Sequence, residues 1–184
     1  MNLFRYYALT AFLFNLIGTY FYVKPERFEE YKWVNQMSIV FHFYFISIVI
    51  NKIHERNSIY FNPRLFSIVS AVLIIVIIPV DPFPGAGFAY LIANSALVIL
   101  GISYFTSLYK SEKLLVLKSS PGYWIAAGVT IGLGMTLPYL AIIWYFKDRA
   151  GITYIQPLIL VAVLGYAIMQ YFFIKAMKCT TILN

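Results

Sequence analysis

Carboxylates are few in this chain, and none lies inside its hydrophobic stretches. The seven acidic residues are Glu26, Glu29, Glu30, Glu55, Asp81, Glu112 and Asp148, all in connecting segments or at their edges. A carrier driven by a carboxylate proton relay needs such a group within a span. A paired-carboxylate hydrolase or a membrane metalloprotease needs acidic groups that face one another. Both classes are disfavoured. Histidine is scarcer still, with only His42 and His54. At 1.5 Å per helical residue the two sit about 18 Å apart, too far to share a metal ion. No metal site is expected, and no cofactor either, because a Walker loop, a dinucleotide fingerprint and a G-x-S-x-G elbow are all missing. The single cysteine, Cys179, rules out an intrachain disulfide. It follows Lys178 just past the last hydrophobic stretch, where it reads as a plain thiol or as a site for S-acylation. Charge of both signs is thin, at 11% of residues, against roughly 25% in a water-soluble domain.

What the chain has instead is long apolar runs. A helix crossing roughly 30 Å of hydrocarbon needs about 20 mostly apolar residues. Runs at 4–23, 34–52, 64–80, 87–109, 122–146 and 152–175 qualify. The expected fold is all-α: a polytopic transmembrane bundle of about six spans, forming a single integral membrane domain over 1–184. The first run is too long and too aromatic for a signal peptide, and no small-residue cleavage site follows it, so it reads as a retained helix. Asp81-Pro82-Phe83-Pro84-Gly85 marks a tight turn between the third and fourth spans, and Asp81 is expected to accept backbone hydrogen bonds there.

Lys and Arg set the orientation. Nine cations fall on one side: Arg5, Lys52, Arg56, Arg64, Lys110, Lys113, Lys118, Lys175 and Lys178. Five fall on the other: Lys24, Arg27, Lys32, Lys147 and Arg149. Both termini are therefore expected in the cytoplasm, with the chain multi-pass in a cell membrane, a bacterial inner membrane being the expected one. The formal net charge of +7 comes from cations spread in twos and threes over short loops, a positive-inside pattern rather than a nucleic-acid patch. Lys110, Lys113 and Lys118 on the longest connector are the expected contact for anionic lipid or for a partner protein.

Neutral polar residues recur within the spans. Asn15, His42, Asn94 and Ser95 come out about 10–12 Å below the outer end of their helices, with Thr136 beside Pro138 somewhat deeper and Gln156 beside Pro157 shallower. Asn35, Ser38 and His42 share one helix face, and an antiparallel first helix would bring Asn15 near His42 and Thr19 near Ser38. One reading makes these residues line a cavity or a pore, with His42 the only group able to change charge near neutral pH. The other makes each a packing contact worth about 0.6 kcal/mol. Gly128-x-x-x-Gly132 permits close helix approach, either within the bundle or between copies in a homo-oligomer. The 16 Tyr, 16 Phe and 3 Trp read as lipid contact and packing.

Three features of the C-terminal portion go together. A lysine-bearing loop leads into Pro121-Gly122-Tyr123-Trp124-Ile125, Gly128 follows in the next helix, and the last span closes with Phe172-Phe173-Ile174-Lys175-Ala176-Met177-Lys178-Cys179. From Ser107 onward, over about 75 residues, the chain resembles a family of small uncharacterised bacterial multi-span membrane proteins. These often have about seven helices, and some are encoded beside histidine kinases or response regulators. The chain departs from that pattern by lacking one N-terminal helix. The resemblance implies a sensing or signalling context. The expected function is thus a non-enzymatic membrane module acting through a partner protein, with a channel or pore subunit as the alternative and a small-solute transporter as a weaker one.

The orientation is testable with the one native thiol. In sealed right-side-out vesicles a membrane-impermeant maleimide is expected to spare Cys179 and to label Asp148→Cys in a Cys179→Ser background. The reverse pattern would invert the topology.

Overall fold

A computed structural model describes residues 28–53, 62–81, 87–110, 120–146 and 152–181, with single helical positions at Tyr7, Thr10, Leu13, Phe14, Leu16, Ile17 and Tyr20. The elements are α1 (Phe28–Ile53), α2 (Pro63–Ile77) running into a 3₁₀ turn (Ile78–Val80), α3 (Gly87–Lys110), α4 (Pro121–Ala127), a π-helical turn (Gly128–Leu133), α5 (Gly134–Phe146) and α6 (Ile152–Thr181). Because α4, the π turn and α5 are continuous, they make one long helix. Among the described residues five helices are long and apolar enough to cross a membrane: Lys32–Ile53, Pro63–Val80, Gly87–Tyr109, Pro121–Ile142 and Leu160–Cys179. The protein is an all-helical, multi-pass membrane protein. The expected span at 4–23 falls largely outside the described residues, as do Lys24, Lys113, Lys118, His54 and the turn at 82–86.

The helix most exposed on the outside of the bundle explains why water is the wrong solvent. In α2 the inward face carries Ser67, Ser70 and Ile74. Leu65, Ile68, Val69, Val72, Leu73, Ile75 and Val76 point outward, all exposed. A soluble helix has the opposite arrangement, and an apolar face this long is untenable in water. In lipid it costs nothing, and Ser67 finds partners inside. Asn51 of α1 donates to the Ser67 hydroxyl at 2.9 Å, and that hydroxyl donates to the Pro63 carbonyl at 2.8 Å. The start of α2 is capped by Asn62, whose Oδ1 accepts from the Arg64 and Leu65 N–H groups at 3.1 Å each, with Pro63 in the first turn.

The start of α3 is held by a carboxylate. Asp81 is buried, and its Oδ2 accepts from the Ala89 N–H at 2.9 Å. That bond satisfies one of the N–H groups a helix leaves open at its start and places negative charge at the positive end of the helix dipole. The backbone contact expected of Asp81 is therefore made to the following helix.

The helix from Pro121 to Phe146 lies between α3 on one side and α6 on the other, while α1 and α2 pack on α3. Glycine sets both distances. A Cβ at Gly132 would stand 2.6 Å from the Met169 Cβ and 2.7 Å from the Gly165 carbonyl oxygen. One at Gly165 would meet the Gly132 carbonyl at 2.5 Å, and one at Gly128 the Phe172 Cβ at 2.9 Å. The Gly128-x-x-x-Gly132 pair is thus turned to α6 of the same chain. On the opposite side a Cβ at Gly101 of α3 would collide with the Thr130 hydroxyl. The core between these seams is apolar, with Ile39, Phe43, Ile46, Ile50, Leu97, Leu100, Val129, Leu133 and Met169 fully or almost fully buried.

Gly165→Ala should therefore push α6 off the π turn and lower stability in detergent by about 1–3 kcal/mol, the usual cost of overpacking. Gly134→Ala, where a Cβ meets nothing within 4 Å, should cost nothing. Equal melting temperatures for the two variants would mean that the seam is not closed as described.

Candidate functional site

Near the middle of α1, His42 projects between helices that do not themselves meet closely. Both α1 and α6 pack on other partners and barely touch each other. The space between them is a cavity of about 320 Å³ lined by Tyr7, Ser38, Phe41, His42, Tyr90, Tyr166, Met169 and Gln170. The helical periods bring these groups together. Ser38, Phe41 and His42 share one face of α1, and Tyr166, Met169 and Gln170 share one face of α6 at i, i+3 and i+4. Tyr90 enters from α3.

Tyr7 is the strut across the gap. Its hydroxyl meets His42 Nδ1 at 2.5 Å. Its ring stacks on Phe45 at 4.3 Å between centroids and reaches Phe173 of α6 edge-on at 6.4 Å. Tyr7 is 3% exposed, although it comes from the first run of the chain. Phe14, further along that run, packs on Phe41 with centroids 5.7 Å apart. The other nitrogen of His42, Nε2, is buried and has no hydrogen-bond partner among the described residues.

A second polar group sits beside the cavity. Asn94 and Thr136 are each 1% exposed. The Thr136 hydroxyl donates to the Leu133 carbonyl at 2.7 Å, leaving its lone pairs for the Asn94 Nδ2, which donates at 3.1 Å. This pair ties α3 to the helix carrying the π turn. Towards α1, Tyr90 donates to Asn35 Oδ1 at 3.2 Å.

Of the residues singled out from sequence, then, His42 lines the cavity, and Asn94 with Thr136 forms an interhelical bond next to it. Ser95 is half-buried on α3 and is not part of the lining. Asn15 and Thr19 lie outside the described residues, as do the side chains of Gln156 and Lys110. The partner of His42 is Tyr7, a residue sequence reasoning passed over. Tyr90, Tyr166 and Gln170 were missed as well, because a tyrosine in an aromatic-rich span reads as packing. A usable signal was present in Tyr166 and Gln170, two polar residues one turn apart within the mostly apolar stretch 158–174.

Among the described residues no three His, Cys, Asp or Glu side chains come together, and the cavity wall carries neither a carboxylate nor a cationic side chain. Its chemistry is hydrogen bonding beside aromatic faces. At the Lys52 and Lys178 end of the bundle, Lys175 places its ammonium 4.3 Å from the Trp124 ring centroid and 5.1 Å from that of Tyr171, a cation–π contact. Comparison with protein-family models, curated proteins and solved structures finds no match to this chain.

A double-mutant cycle of Tyr7→Phe and His42→Leu, read by unfolding in detergent, is expected to give a coupling of about 0.6 kcal/mol and at most about 1.7, the range for hydrogen bonds within membranes. Additive effects would place the two groups apart.

Proposed function

We propose that this protein is a six-span, non-enzymatic sensing module with both termini on the cytoplasmic side. It takes a small uncharged ligand into the cavity between α1 and α6 and passes occupancy to a partner protein at the inner face. The observation that carries this reading is the Tyr7 strut. Two helices that barely touch are connected through one side chain, and that side chain belongs to the first run of the chain rather than to either helix. A ligand that competes for His42 or for the aromatic shelf around Tyr7 changes the seating of that run. Such a displacement is a physical output, because the cavity shares its wall with the core residue Met169.

The inner-face contact is assigned to Lys110, Lys113 and Lys118, which carry positive charge on the longest connector without intervening acid other than Glu112. Against a pore through a single chain stand the fully buried Ile46, Ile50, Leu97 and Leu100 in the apolar core. A conducting path would have to run between several copies.

Charge reversal of Lys113 and Lys118 together should abolish co-purification of a stoichiometric partner from native membranes while leaving the melting temperature unchanged. If the protein instead purifies as a homo-oligomer without a second component, and conducts ions in liposomes with a current altered by His42→Ala, the sensing reading gives way to a channel subunit.

A further inference from the structure

The chemistry of the cavity is narrow enough to name the class of molecule it takes, an inference that rests on its being a ligand site. Begin with the histidine. A phenol hydroxyl is a better donor than a neutral imidazole N–H, so in the Tyr7–His42 bond the hydroxyl donates and Nδ1 accepts. The single ring proton of a neutral His42 is then on Nε2. That N–H is buried and meets no acceptor among the described residues, at the cost carried by any buried donor left unpaired. Around the same cavity stand the hydroxyls of Ser38 and Tyr166 and the amide of Gln170. The wall therefore offers several donors, of which the His42 N–H cannot also accept, and its described lining residues hold no charge.

The remaining walls are flat. Tyr7 and Phe41 lie nearly parallel, with an interplanar angle of 13° and centroids 6.0 Å apart, and the Met169 thioether adds a polarisable surface. Size narrows the choice further. A buried apolar cavity of roughly 150 Å³ accommodates benzene, so about 320 Å³ suits two fused rings. The route in is lateral, since Tyr166 and Gln170 are exposed on α6 and that face meets the bilayer.

We propose that the cavity binds a neutral, planar, lipid-soluble ring bearing carbonyl oxygens, a molecule of the quinone class, with its carbonyls accepting from the donors of α1 and α6. A charged ligand would enter hydrocarbon with no counter-charge to meet it. A pure hydrocarbon, an acyl chain included, would leave the donors unpaired.

The test uses the full-length protein in lipid nanodiscs, with protein-free nanodiscs correcting for partition into lipid. The probe is 2,3-dimethyl-1,4-naphthoquinone, which has no free quinone-ring position for Cys179 to attack. Its control is 2,3-dimethylnaphthalene, of the same shape without the carbonyls. Saturable binding of the quinone at one per chain is expected, about tenfold tighter than the hydrocarbon. His42→Phe should erase most of that preference, and Tyr166→Phe, on the exposed face, supplies a second reading should His42→Phe misfold. Saturable binding of both probes with equal affinity would overturn the carbonyl assignment while leaving a ligand site. A preference untouched by both substitutions would overturn it too, by placing the quinone elsewhere. Saturable binding of neither probe would remove the ligand site along with the assignment.

Discussion

Hydrocarbon cannot hydrogen-bond to a peptide, so every backbone group within the bilayer has to be satisfied by the chain itself. The helices of this protein follow from that constraint, and so do the devices at their ends. Asn62 and Asp81 take up N–H groups at the starts of α2 and α3, and the Thr136 hydroxyl bonds the Leu133 carbonyl at the end of the π turn. Side-chain polarity is governed the same way. Ser67 of α2 turns inward to Asn51 and the Pro63 carbonyl, and the apolar residues are left to lipid.

Once the backbone is satisfied, close packing decides which helices touch. Lipid tails are as apolar as leucine, so association depends on shape and on a few polar bonds. The glycines at 128, 132 and 165 bring the central helix against α6, and Gly101 brings it against α3. Those seams are dense, and the contrast with the looser contact between α1 and α6 is what creates the cavity. Large side chains (Tyr7, Phe41, His42, Tyr166) hold apart what glycines elsewhere draw together. The cavity and the close-packed seams are therefore carried by different parts of the chain.

The architecture was readable from hydropathy because the signal is long and nearly binary. The run 87–109 coincides with Gly87–Tyr109, and the other four described helices differ from their expected ends by a few residues at most helix termini. Gly128 and Gly132 were readable as a close-approach pair, though sequence alone left the partner open between this chain and another. The site was only partly legible. His42 stood out as the one histidine deep in a span, and the Asn35–Ser38–His42 face followed from spacing. The three tyrosines did not stand out, since residue type cannot distinguish a phenol that faces lipid from one that meets an imidazole. The expected pairing of Asn15 with His42 rested on setting the first two helices level with each other. Asn15 itself lies outside the described residues, and the partner observed for His42 is Tyr7; the axial offset of two helices is a tertiary quantity that periodicity does not encode.

The unequal lengths of α2 and α6 make the surrounding bilayer part of the mechanical problem. The span Pro63–Val80 has 18 residues, about 27 Å of helix, slightly less than the roughly 30 Å hydrocarbon thickness. The 30 residues of α6 extend about 45 Å. Lipid is therefore drawn thin beside α2, while α6 must tilt or emerge into the headgroups, carrying Lys175 and Lys178 with it. A thicker membrane strains the short helix before the long one, so lipid composition acts unevenly on the two sides of this protein.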